Sequence, residues 1–234
     1  HLWFNVIDQE DIKYIENLAK EYSWIKIDKI KLERDDNNYR NLFKFYHQCT
    51  DPNTVYIKLD DDIVWLEDGF IKEMKQFRMD NPEYFITYGN TVNNQCIDHI
   101  HQRIGALQSI DRFIEYNMKG WSWKNPDYAR NVLKQFMKDR KEGNLDKWKF
   151  DRWVTRPNLG PQERVSINAI SWIGNDHMKK IPREDEAWLS CDAPRQMNPP
   201  KFNGICGQKM CVHFLFKEQK SEELEKMLDE VADI

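Results

Sequence analysis

The chain has 234 residues, enough for one large domain or a domain with a subdomain. A formal net charge of −4 argues against a nucleic-acid coat, and no apolar run approaches the length of a membrane span. Five cysteines without a Cys-x-x-Cys pair suit a reducing compartment better than a disulfide framework, and no signal peptide is visible, so the expected location is cytoplasmic. The chain opens on His1 inside an apolar segment, which reads as a trimmed piece of a longer protein.

The first 62 residues alternate strand and helix. Leu2–Val6 reads as a strand. Asp8 is placed to cap a helix whose apolar positions are Ile12, Ile15, Leu18 and Ala19. Trp24–Ile27 reads as a second strand, and residues 38–49 read as a helix. Val55, Ile57 and Leu59 then have strand period. This β-α-β-α-β order predicts parallel strands, with ligands collecting beyond their carboxyl ends. Asp68 precedes a helix carrying Phe70, Ile71, Met74 and Phe77, stopped by Asn81-Pro82. Tyr84–Tyr88 reads as a strand followed by a polar loop over 89–94. Residues 126–142 form an amphipathic helix with Pro126 near its start. Val165–Ile173 and Met210–Phe216 read as strands, and Ser221 caps a last helix with Leu224, Met227, Leu228 and Val231. The change from βα alternation to a mixed half near residue 100 is the best candidate for a subdomain seam.

The most informative segment is Thr54–Asp62, an apolar strand that stops on three carboxylates. Side chains alternate along a strand, so Asp60 and Asp62 are expected to point one way and Asp61 another. Two hard oxygen ligands at a strand end suit Mg²⁺ or Mn²⁺, with positions left for phosphate oxygens. Three like charges in a row also call for a cation among them. Arg40 and Arg103 are candidates to pair with a diphosphate, although solvated arginines are commoner.

Tyr56–Trp65 resembles the Asp-x-Asp motif of GT-A-fold glycosyltransferases. Arg164–Trp172, Glu184–Ser190 and Val212–Phe216 resemble later blocks in a group of such enzymes found in fungi, microbes and large viruses. The resemblance runs from about His1 to Gln219. It departs at the start, because those enzymes usually begin with a strand and loop that hold the nucleotide base. Here the chain opens at what looks like the second strand.

The resemblance implies a single domain over 1–234. Residues 1–100 would form the donor and metal half, 101–219 the acceptor half and 220–234 a C-terminal helix. The implied fold is α/β and GT-A-like (Rossmann-like), a mixed, mostly parallel sheet flanked by helices. The implied activity is transfer of a sugar from a nucleotide-diphosphate sugar to a glycan or glycoprotein hydroxyl, aided by Mn²⁺ or Mg²⁺. Asp60, Asp62 and His213 would hold the metal. Asp60, Asp61 and Arg40 would contact the donor. If the enzyme inverts, Asp185, with Glu186 second, would be the base that takes the acceptor proton. Without the resemblance, His213 reads as a core histidine and Glu184-Asp185-Glu186 as an acidic helix start.

Other residues are less specific. His99 and His101 would face one way on a strand, but no acid or cysteine completes a zinc set. Asn90, Asn93 and Asn94 suit sugar hydroxyls or ordinary turns. Trp121, Trp123, Trp148 and Trp153 suit sugar-stacking platforms or a core. The run Lys138–Lys141 reads as the solvated end of a helix. Two rivals remain: a non-catalytic glycan- or nucleotide-binding module derived from a transferase, and a two-metal phosphoryl-transfer enzyme. The latter needs more clustered carboxylate or histidine ligands than the sequence offers.

Overall fold

The computed structural model describes residues 1–29, 41–116, 120–155 and 164–232. The chain begins with β1 (Leu2–Trp3), α1 (Gln9–Glu21) and β2 (Ile27–Asp28). Asp8 caps α1 as expected, its carboxylate accepting from the Glu10 and Asp11 amides at 2.8 and 3.3 Å. β1 and β2 pair in parallel, with Leu2 opposite Ile27. They form their own two-stranded sheet instead of joining the strand that ends at Leu59. Trp3 ties this unit to the body by stacking on Phe45 at 5.1 Å and meeting Tyr46 edge-on at 5.0 Å. Both rings belong to α2 (Phe43–Tyr46). Residues 38–40, including Arg40, lie outside the described residues.

The main sheet uses β3 (Val55–Leu59), β4 (Ile63–Leu66), β5 (Tyr84–Val92), β6 (Arg152–Thr155), β7 (Ala169–Ile173) and β8 (Phe202–His213). Its order is β3-β7-β5-β8-β4, with β6 also paired to β8. β6 lies along residues 203–206 of β8 and β4 along residues 211–213. The expectation of a mostly parallel sheet is corrected: only β5 and β8 pair in parallel, and the other pairings are antiparallel. The reason is that β7, from the second half of the chain, enters between β3 and β5 running the opposite way. The architecture is therefore α/β, a mixed sheet flanked by helices.

Helices α3 (Phe70–Asp80), α4 (Gln95–Arg103) and α5 (Pro126–Lys141) supply the main apolar faces. Phe70, Met74 and Phe77 pack with Tyr84, Ala169 and Cys206. Ile97 and Ile100 pack with Tyr88, Ile170 and Trp172. Val132, Leu133 and Phe136 pack with Trp148, Met210 and Val212. The short helices α6 (Asp185–Ala187) and α7 (Ala193–Gln196) flank a π-turn at Trp188–Asp192. The last helix divides into α8 (Glu222–Glu225) and α9 (Leu228–Ala232), with Ser221 capping the first through the Leu224 amide at 3.3 Å.

Several boundaries differ from expectation. Residues 89–92 are strand, because Asn90 is buried and its amide group reaches the Trp148 and Gly207 carbonyls, both at 3.0 Å. β7 begins only at Ala169, and β8 begins at Phe202 instead of Met210. His99 and His101 sit on α4, so they do not share a face. His99 meets the Ile114 carbonyl at 2.6 Å, while both His101 nitrogens are satisfied by Asp98 and Asn90 at 3.1 and 2.7 Å. Among the described residues, no helix is long and apolar enough to cross a membrane.

Candidate active site

β3, β5 and β8 run in one direction, so their carboxyl ends share one end of the sheet. β7 and β4 start at that same end, because Leu59 lies opposite Ala169 and His213 opposite Ile63. Asp60–Asp62 is the turn between β3 and β4. The strand stops at Leu59, so simple alternation does not set these side chains. The Asp60 amide bonds the Asn168 carbonyl at 2.8 Å, and the Asp62 carbonyl accepts from Phe214 at 2.9 Å. The turn is thereby pinned to β7 on one side and to the end of β8 on the other.

The three aspartates have separate surroundings. Asp61 is exposed. Asp60 is held by two side chains: Lys58 pairs with its Oδ1, and Asn168 Nδ2 donates to its Oδ2 at 3.2 Å. Lys58 is only 8% exposed and also donates to the Ile167 carbonyl at 2.9 Å. Burial raises the proton affinity of Asp60, while Lys58 opposes that shift. Asp62 faces the other way. Its Oδ2 lies 3.0 Å from Nε2 of the buried His213, and its Oδ1 is buried without a hydrogen-bond partner. His213 Nδ1 is likewise unpartnered, and Phe216 leans on the ring at a centroid distance of 4.2 Å.

The acidic block lies close by. Glu186 is fixed by Arg164 Nε at 2.5 Å and by the Ser166 hydroxyl at 3.1 Å. Asp185 accepts the Glu186 amide at 2.8 Å through Oδ1, while its Oδ2 is buried with no partner. Burial pushes the Asp185 carboxyl up to about 6; Lys58 pulls it down, and the charges of Glu186 and Asp60 push it up. The phenol of Tyr46, fully buried and unpartnered, is also raised, by burial first and then by Asp185 and Asp60. A carboxyl with one free oxygen and a proton affinity near neutrality is suited to general-base work.

The donor set bears on a divalent ion. Carboxylate and imidazole atoms 3.0 Å apart match neighbouring corners of an octahedron with bonds of about 2.1 Å. Asp62 and His213, hydrogen-bonded to each other here, are thus spaced so that they could serve a divalent ion as two protein ligands. Asp60, the other expected ligand, has its Oδ1 paired with Lys58 and its Oδ2 with Asn168 in this structure. Among the described residues, no group of three or more His, Cys, Asp or Glu side chains converges for a metal.

The other candidates scatter. Asn93 bonds the Phe214 carbonyl and Gln219, and Asn94 bonds the Ser166 carbonyl and Asn168, so both brace the strand ends. Trp148 is core, donating to Asp139 at 3.0 Å. Trp121 and Trp153 lie beneath Arg112 and Arg103. Trp123, capped by Lys124 at 4.9 Å, meets Phe216 edge-on at 6.5 Å. The basic run on α5 is not wholly solvated, since Arg140 covers the Trp65 ring at 4.6 Å. A shallow concavity lined by Leu66, Glu67, Asp68, Gly69, Phe70, Ile71, Lys72 and Lys75 includes none of Asp60, Asp61, Asp62, Asp185, Glu186 or His213.

Sequence reasoning missed Lys58, Asn168 and the Arg164–Ser166 clamp. A signal for Lys58 was present: it interrupts an apolar strand two residues before Asp60. No family model matches this chain, and comparison with curated proteins and with solved structures returned no match.

Proposed function

We propose that this domain is a glycosyltransferase that moves a sugar from a nucleotide-diphosphate donor to a glycan hydroxyl by an inverting route. The observation that carries the reading is Asp185, a carboxyl raised to about 6 with one oxygen unpartnered, beside a turn that presents Asp62 with His213. Asp62 and His213 would hold a divalent ion, which when bound would supply Lewis-acid charge for the departing diphosphate. Lys58 and Asn168 fix Asp60 as the rigid edge of the donor site. Asp185 takes the proton of the attacking hydroxyl, while Glu186, tied to Arg164 and Ser166, holds the helix that carries it. The free oxygen of Asp185 is closed off from solvent, so acceptor binding must move its cover. A GT-A-like fold, a cytoplasmic location and a glycan or glycoprotein acceptor belong to the same reading.

The test is a thermal-shift screen of nucleoside diphosphates and their sugar conjugates, with Mn²⁺, Mg²⁺ or chelator, followed by product analysis. A specific donor should raise the melting temperature with the ion by more than either component alone, as binding to the native state requires. It should then yield a glycoside of inverted configuration. A protein stabilised by no nucleotide under any condition refutes the donor site. Retained configuration refutes the base.

A further inference from the structure

Three cations converge on the turn between α3 and β5. Arg78, in the last turn of α3, donates from Nη1 to the Asn81 carbonyl and from Nη2 to the Pro82 carbonyl, the latter at 3.4 Å. Lys201, the residue before β8, reaches the same Pro82 oxygen at 3.3 Å. Arg152, the first residue of β6, reaches the side-chain oxygen of Asn81 at 3.3 Å. Arg78 is only 2% exposed, and its Nε has no hydrogen-bond partner. Among the described residues, no carboxylate forms an ion pair with any of the three. Glu83 is the acid whose charge acts on both Arg78 and Lys201, and it is exposed. Burial, and then the charge of Arg78, hold the Lys201 ammonium below its ordinary value. A buried guanidinium is ordinarily paired with an anion, because carbonyl oxygens satisfy its N–H groups but leave its charge uncompensated.

We propose that this turn is a binding site for a phosphate-type oxyanion, held by Arg152 and Lys201 at the surface and by the charge of Arg78 beneath them. The donors allow it. Lys201 uses one of its three N–H groups on Pro82, and Arg152 uses one of its five on Asn81. Arg152 is exposed, and its guanidinium fork matches two oxygens of a tetrahedral anion. Capping the end of α3 would need Arg78 alone. The two further cations reach the turn across 71 and 119 residues of sequence. The site lies at the amino ends of β5 and β8, which pair in parallel. It therefore stands at the opposite end of the sheet from the triple-Asp turn and does not depend on the glycosyltransferase reading. Free phosphate and a phosphate monoester share the chemistry that these three side chains recognise.

The experiment titrates the full chain, without divalent metal, with inorganic phosphate and then with glucose 6-phosphate, at an ionic strength held constant with chloride. Titration calorimetry gives the affinity, and proton–nitrogen NMR follows the arginine Nε–H signals. The Arg78 Nε–H signal should shift saturably in step with binding. The double variant Arg152→Gln with Lys201→Gln should weaken binding by about tenfold or more, as the loss of two charge-assisted contacts requires. Asp62→Asn, at the other end of the sheet, should leave the affinity unchanged. Tighter binding of the ester than of free phosphate would identify a phosphorylated compound as the source, and equal or weaker binding of the ester would identify free phosphate. Near-ultraviolet circular dichroism checks each fold; if the double variant does not fold, Arg152→Gln alone carries the test, because that residue is exposed. No saturable shift at Arg78 with either probe overturns the proposal. So does an affinity unchanged in the folded Arg152 variant, or one lost in Asp62→Asn.

Discussion

Asp185→Asn separates function from stability. Burial holds the Asp185 carboxyl at about 6 against an ordinary value of 3.8. At about 1.4 kcal/mol per pH unit, that difference corresponds to at most about 3 kcal/mol. The sign follows from proton linkage. Between pH 4 and 6 the native state binds this proton and the unfolded chain has released it, so stability falls as pH rises through the window. The stabilisation is complete below about pH 4 and lost above about pH 6. Asparagine removes this slope. It also buries an amide where Oδ2 had no partner, which costs about 1–3 kcal/mol but equally at every pH. The informative quantity is therefore the slope and not the offset. Urea denaturation in steps from pH 4 to pH 7.5 should show the wild type losing about 2–3 kcal/mol relative to the variant. Turnover of the variant should fall by about 10²–10⁴-fold, the span of general-base catalysis, with nucleotide binding nearly intact. Superimposable pH dependences would refute a raised Asp185, and near-normal turnover would refute its role as base.

The other predictions concern the division of roles at the turn, the acids and the sheet. Asp62→Asn should abolish Mn²⁺-dependent nucleotide binding in titration calorimetry, with His213→Ala weakening it less; binding indifferent to a chelator would rule out the metal bridge. Glu186→Gln keeps an acceptor for Ser166 but loses the charge that pairs with Arg164, so its turnover should fall far less than that of Asp185→Asn; equal losses would mean that neither acid is the base. Gly207→Ala should destabilise the β6–β8 junction by about 1–3 kcal/mol, because the new Cβ would stand 2.2 Å from the Phe150 carbonyl oxygen, and an unchanged melting temperature would contradict that close approach.

Local rules explain what was legible in the chain. The caps at Asp8 and Ser221, the Pro126 helix and the strand before the aspartates each depend on neighbours in sequence, and each formed as its pattern required. The position of the acidic turn beyond a strand end was legible for the same reason. Pairing partners were not, because β-sheet order depends on contacts between distant residues. Ser171 of β7 bonds Thr87 across 84 residues, and nothing near either marks the other. This inserted strand is why a parallel series became a mixed sheet. The same distance hid the site's wiring. A run of three aspartates looks uniform in sequence. Only the packing of β7, β8 and α6 against the turn commits Asp60 to Lys58 and Asn168, pairs Asp62 with His213 and leaves Asp61 in water. The sequence by itself determined which residue types gather at the strand ends, because local pattern fixes strands, turns and caps. The tertiary structure alone decided which carboxylate is neutralised, which is paired and which keeps a free oxygen, because burial and charge partners arise only when distant segments meet.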